Sequence, residues 1–257
     1  MDLGLTGKVA AITGGSDGIG KATALRLARE GARIAICGRR KEALEQAAAE
    51  IRGTGAEVLA IVADVSKPED ALRFIAETAA HYAALDILVN NAGTSSAYAF
   101  EDADDAIWEA DLQLKLHAAI RTSRAAIPHL RKRGGGRIIN LTTWGGKQPG
   151  PRSVPTSVSR AAGIALTKAL SKDLARDKIL VNTVCVGMIK SGQQQGMAQA
   201  RGVSVDKHYA DLGAAIPLQR VGEADEVANV IAFLASEAAS YVTGTAINVD
   251  GGAAGVV

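Results

Sequence analysis

The chain has 257 residues, 29 Lys and Arg against 27 Asp and Glu, a net charge of +2, and 47% hydrophobic residues with few aromatics. It is long enough for one large α/β core or two small ones, and too evenly charged to point to nucleic acid or a charged surface as partner. Its two cysteines, Cys37 and Cys185, each close an apolar run and read as buried free thiols, not a disulfide or metal site. No stretch is long enough to span a membrane, and the N-terminus lacks a signal-peptide pattern, so a reducing, cytoplasmic setting is expected.

Residues 9–12 are an apolar run that predicts a buried strand. The run leads into Thr13-Gly14-Gly15-Ser16-Asp17-Gly18-Ile19-Gly20, after which the chain becomes helical, with Ile19, Ala22, Leu25 and Ala28 at helical spacing. A strand that turns through glycines into a helix start is a candidate phosphate cradle. Glycine lets the backbone approach the ligand, and the free N–H groups and the dipole favour an anion there. Such turns also serve simply as corners. The β-α-β pattern that follows is what a dinucleotide site requires.

Residues 33–37 predict a second strand, and 41–52 an amphipathic helix facing inward through Leu44, Ala47, Ala48 and Ile51. A third strand is expected at 58–62. Ser66-Lys67-Pro68-Glu69 has a capping-box pattern with proline near the first turn, opening a helix with Leu72, Ile75, Ala76 and Ala79 on its buried face. A fourth strand at 87–89 is followed by Asn90-Asn91-Ala92-Gly93. A long helical region covers about 104–133, with Pro128 expected to kink or split it. Arg131-Lys132-Arg133 lie at its C-terminal end, where cations are favoured, and Gly134-Gly135-Gly136 stop it. A fifth strand at 137–141 precedes a Pro-rich loop at 144–155. The helix after it, at 157–176, carries Val158, Ala161, Ala162, Ala165, Leu166 and Ala169 as its apolar face. A sixth strand is expected at 180–186. Residues 188–215 lack a strong period and fit a mobile substrate lid. A helix at 224–235 and a strand at 245–249 complete the pattern.

The spacing Thr13-Gly14-x-x-x-Gly18-x-Gly20 resembles that of the short-chain dehydrogenase/reductase family, which binds NAD or NADP. Ala63-Asp64-Val65, Asn90-Asn91-Ala92-Gly93, Gly187-Met188-Ile189, Pro217-Leu218-Gln219-Arg220 and Val249-Asp250-Gly251-Gly252 extend the resemblance along the whole chain, although Val186 stands where the family has proline. The resemblance implies an α/β fold with a doubly wound parallel sheet (Rossmann fold) in a single domain over residues 1–257. It implies cofactor contacts at Gly14, Ser16, Asp17, Gly18, Ile19, Gly20, Asp64, Val65, Asn91, Ala92, Gly93, Arg160, Gly187 and Ile189, and no metal. The second strand ends in Cys37-Gly38-Arg39-Arg40 with no acid. A guanidinium suits a 2′-phosphate, so Arg39 and Arg40 favour NADP(H) over NAD(H), while Asp17 could repel the phosphate. NAD(H) is the alternative. A small-molecule substrate and a homotetramer or homodimer are also implied.

At the catalytic positions the sequence departs from the family's pattern. The family works through Ser, Tyr and Lys, with an Asn on a neighbouring helix. Registered on their flanks, those positions fall at Thr143, Thr156, Arg160 and Lys115. Thr156 and Arg160 are i, i+4 and share a helix face. A Thr hydroxyl is a far weaker acid than a phenol, and Arg does not relay protons. Three readings follow: an oxidoreductase with an atypical proton donor, elimination or hydration chemistry on the same scaffold, or an NADP(H)-binding but inactive regulatory or partner subunit. Lys115, Tyr98, His208 and Tyr209 are the candidate donors, Lys115 because burial lowers a lysine pKa towards neutrality.

Overall fold

A computed structural model describes residues 2–257. Seven strands form one parallel sheet in the order β3-β2-β1-β4-β6-β8-β9. In chain order the elements are β1 (Val9–Thr13), α1 (Gly18–Arg29), β2 (Arg33–Gly38), α2 (Lys41–Arg52), β3 (Val58–Val62), α3 (Pro68–Tyr82), β4 (Ile87–Asn90) and β5 (Ala97–Tyr98). They continue with α4 (Asp105–Leu112), a π-helical turn (Gln113–His117), α5 (Ala118–Lys132), β6 (Gly136–Thr143), β7 (Val154–Pro155) and α6 (Thr156–Asp173). The chain ends with β8 (Ile179–Val186), α7 (Gly192–Ala200), α8 (Val205–Gly213), α9 (Ala224–Ala235) and β9 (Ala246–Val249). The order reverses between β1 and β4, and ligands bind at such a switch point, outside the C-terminal ends of the strands.

Both faces of the sheet are covered, so its strands read as continuous apolar runs. All five residues of β1 are buried, and the first four alternate between two cores. Ala10 and Ile12 join Leu27, Ile34 and Ile231 on one side, and Val9 and Ala11 join Phe74, Ile75 and Leu88 on the other. Each fully buried side chain of the larger kind contributes about 1.5–3 kcal/mol. Cys37 and Cys185 are buried free thiols within the sheet, as expected. Among the described residues no helix is long and apolar enough to cross a membrane.

Several details differ from expectation. Ser66 does not cap α3; its hydroxyl donates to Asp64 instead, and Pro68 opens the helix. The buried face of α3 is Ala71, Phe74, Ile75, Thr78, Ala79 and Tyr82, which leaves Leu72 47% exposed and Ala76 outside. The long helical region is not split at Pro128, which lies within α5. It is interrupted at Gln113–His117, where the Ala118 N–H donates to the Gln113 carbonyl five residues back. The Pro-rich segment is not wholly loop, because Val154–Pro155 pairs antiparallel with Ala97–Tyr98. Residues 188–215 hold two helices, α7 and α8, capped by Ser191 and Ser204. Most of the expected apolar face of α6 points outward: Val158, Ala161, Ala165 and Ala169 are exposed and Ala162 and Leu166 half-buried, while Ser157, Ser159, Thr167 and Ser171 are buried. Small polar side chains let α6 approach the sheet closely, where the Thr167 and Thr183 hydroxyls meet at 2.6 Å.

Candidate active site

The glycine-rich turn is held by main-chain contacts. Gly14 has φ +68°, and a Cβ on Gly20 would lie 2.1 Å from the Gly14 carbonyl oxygen, so both positions require glycine. Asn91 Nδ2 donates to the Thr13 and Gly14 carbonyls at 2.9 and 3.0 Å, and the Asn91 and Ala92 N–H groups donate to Thr13 Oγ1. Gly15 N–H bonds to the Cys37 carbonyl, tying the turn to β2. The helix starts at Gly18, earlier than expected, with Asp17 as N-cap, its carboxylate accepting from Gly18 N–H at 2.7 Å. Ser16 packs beside Gly38 at the end of β2.

Arg39 and Arg40 follow β2 and are exposed, and among the described residues neither pairs with a carboxylate. Asp64 accepts from the N–H and hydroxyl of Ser66, and Val65 is buried. Gly187 packs on Asp250, and Ile189 is buried and bridges to Gly222. The segment at 188–215 reaches the turn: a Cβ on Gly192 would lie 2.5 Å from Asp17 Oδ2. His208 is buried and bonded to Gln194, and the Tyr209 hydroxyl donates to the Ser191 carbonyl. His208 is therefore not a solvated side chain; both residues tie α8 to α7 and its cap. Tyr98 is 39% exposed on the β5–β7 ribbon.

The structure brings Lys115 and Thr156 together across 41 positions of sequence, with Lys115 Nζ donating to Thr156 Oγ1 at 2.6 Å. Thr156 Oγ1 also accepts from the Ser96 N–H at 2.9 Å. A hydroxyl has two acceptor sites and one donor, so both acceptor sites are filled and the proton remains to be donated elsewhere. Arg160, one turn along α6, donates to the Leu141 carbonyl at 2.7 Å and packs against Gly93. Burial pushes its pKa down to about 10, still cationic at neutral pH. Thr143 is half-buried at the end of β6.

Asp111, which no sequence motif singles out, completes the cluster. It pairs with Lys115, and the Lys115 and Asp111 side chains are 1% and 0% exposed. Burial, reinforced by Arg160, pushes Lys115 down to about 8, against the opposing pull of Asp111. The one local signal is an acid and a base four residues apart in a Leu-rich helix. A partly open cavity of about 20 Å³ adjoins Lys115 and Arg160, lined also by Asn90, Asn140 and Ser159.

A family profile described as enoyl-(acyl carrier protein) reductase matches residues 14–254. The chain is 34% identical over 250 residues to dehydrogenase/reductase SDR family member 4 of Homo sapiens, covering 96% of this chain and 88% of that protein. The crystal structure of L-sorbose reductase from Gluconobacter frateurii, complexed with NADPH and L-sorbose, superposes with a TM-score of 0.95 at 34% identity, covering all of both chains. A variant of actinorhodin polyketide ketoreductase with NADPH superposes with a TM-score of 0.92 at 32% identity, over 97% of this chain and 98% of that one. With its seven-stranded parallel sheet and glycine-rich β1–α1 turn, this chain belongs to the short-chain dehydrogenase/reductase family of oxidoreductases.

Proposed function

We propose that the chain transfers hydride between NADP(H) and the carbonyl or alcohol group of a small-molecule substrate, with Lys115 supplying the proton through Thr156. The observation that carries this reading is the doubly accepting Thr156 hydroxyl, 2.6 Å from the Lys115 ammonium. The residues present fit the cofactor. Two exposed guanidinium groups, without carboxylate partners among the described residues, suit a 2′-phosphate, and the NADPH-bound reductases above share the fold. The α1 N-terminus suits the pyrophosphate. Bound there, the nicotinamide supplies a hydride to a carbonyl carbon, or accepts one from an alcohol.

The chain's own residues manage the proton. Thr156 donates its hydroxyl proton to the substrate oxygen as it takes one from Lys115, so no free alkoxide forms and the weak acidity of threonine is no obstacle. Lys115 is left as the neutral amine and regains a proton from solvent by way of the polar-lined cavity that it borders with Asn90, Asn140 and Ser159. Thr143 offers a second hydroxyl to the same oxygen. Arg160 holds the floor of the site through Leu141 and Gly93. A homotetramer or homodimer is supported by the outward apolar residues of α6, and sedimentation of Ala165→Glu beside the unsubstituted chain tests it.

A thermal-shift titration with NADPH, NADP, NADH and NAD tests the cofactor. Ligand at about 100 times its dissociation constant adds roughly 2.7 kcal/mol, and each kcal/mol moves the midpoint of a domain this size by about 2–4 °C. The phosphorylated pair alone should shift it by several degrees. Single-turnover oxidation of NADPH by carbonyl substrates then tests turnover; binding without hydride transfer would favour the regulatory reading.

A further inference from the structure

We propose that Asp111 is a positioning residue whose carboxylate holds the Lys115 ammonium against the Thr156 hydroxyl, so that a proton on Lys115 leaves through Thr156. This rests on the proton path proposed above. Three observations carry it. First, the Asp111 and Lys115 side chains are 0% and 1% exposed, so they meet out of water. A buried ion pair is weak support for stability, because desolvation offsets most of the attraction and apolar residues of like volume do as well or better. Second, among the described residues the buried Asp111 carboxylate has one hydrogen-bond partner, Lys115, which it meets through Oδ1, while Oδ2 has none. Third, the π turn carries Lys115, and an extra residue in a helical turn re-aims the side chains around it.

The charged groups facing Lys115 are Asp111 on α4 and Arg160 on α6, and they act in opposite senses. Arg160 and burial favour the neutral amine, and Asp111 favours the ammonium. Without Asp111 the lysine would lose its proton at lower pH and would no longer be held towards α6.

The test is a lysine ε-carbon NMR titration, with the Lys115 signal assigned by its loss in Lys115→Met. It needs neither cofactor nor turnover, so it remains readable if the proposed reaction fails. Asp111→Asn should lower the pH of the Lys115 transition by about one to two units, the tenfold to hundredfold effect of a hydrogen bond to a charged group. Asp111→Glu keeps the charge on a longer arm. It should restore most of the transition pH while kcat stays reduced about tenfold, with KM little changed. An unchanged Lys115 transition in Asp111→Asn overturns the proposal. Should that variant not fold, the unsubstituted protein decides: the Asp111 carboxyl carbon must shift over the same pH range as Lys115, and a flat Asp111 signal there overturns it.

Discussion

The two sides of the site are made of different material. Along β1 and α1 it is main chain: glycines whose missing side chains permit close approach, stitched by Asn91 and Thr13. Along α4, the π turn and α6 it is side chains, with a carboxylate, an ammonium and a hydroxyl in contact inside the protein. A main-chain site depends on which residues lack a Cβ, and tolerates variation around them. A side-chain site depends on partners from distant segments, and changing one partner changes the chemistry.

The sharpest way to separate the two sides is Lys115→Met. It should lower kcat about 10²–10⁴-fold, the usual contribution of general acid–base catalysis, with the NADPH dissociation constant nearly unchanged. The pH dependence gives the matching sign. Reduction needs the ammonium, so its kcat should be flat below about 8 and fall above it; oxidation needs the free amine and should rise through the same range. A Lys115→Met enzyme with unaltered turnover would return the proton donor to an open question.

Next in size is the buried pair. Asp111→Leu alone strands a buried ammonium at pH values below the lowered Lys115 transition, and should cost about 3–5 kcal/mol in urea unfolding there, whereas Asp111→Leu with Lys115→Leu should be neutral or more stable by about 1–4 kcal/mol. If the double variant were the less stable of the two, the pair would be structural. On the cofactor side, Arg39→Ala should weaken NADPH about 10–100-fold, the worth of a charge-assisted hydrogen bond, and leave NADH unchanged by calorimetry. The smallest effects concern glycine itself. Gly20→Ala forces a Cβ against the Gly14 carbonyl and should cost about 1–3 kcal/mol in the same urea assay. Gly196→Ala, in α7 with nothing within 4 Å, should gain roughly 0.5–1 kcal/mol.

Much of the fold is legible in the sequence because its signals are local. The α2 face of Leu44, Ala47, Ala48 and Ile51 follows from helical period, and all four are buried. The same reasoning misplaces the face of α6, because period alone cannot say that Thr167 and Ser171, and not Ala165 and Ala169, meet the sheet. Lys115 and Thr156 are legible as candidates, but their contact is not.

The alternation of strands and helices, the glycine turn, and the two arginines after the second strand are written in residues close together in the chain, and they can be read there without a structure. The break of the long helix at a π turn, the meeting of Ser96 and Lys115 at Thr156, and the place of Asp111 behind Lys115 come from packing. Two of those contacts, Ser96 and Lys115 to Thr156, join groups 60 and 41 residues apart. Which side chains share such a buried space is settled by how helices pack on the sheet, and no local pattern carries that information.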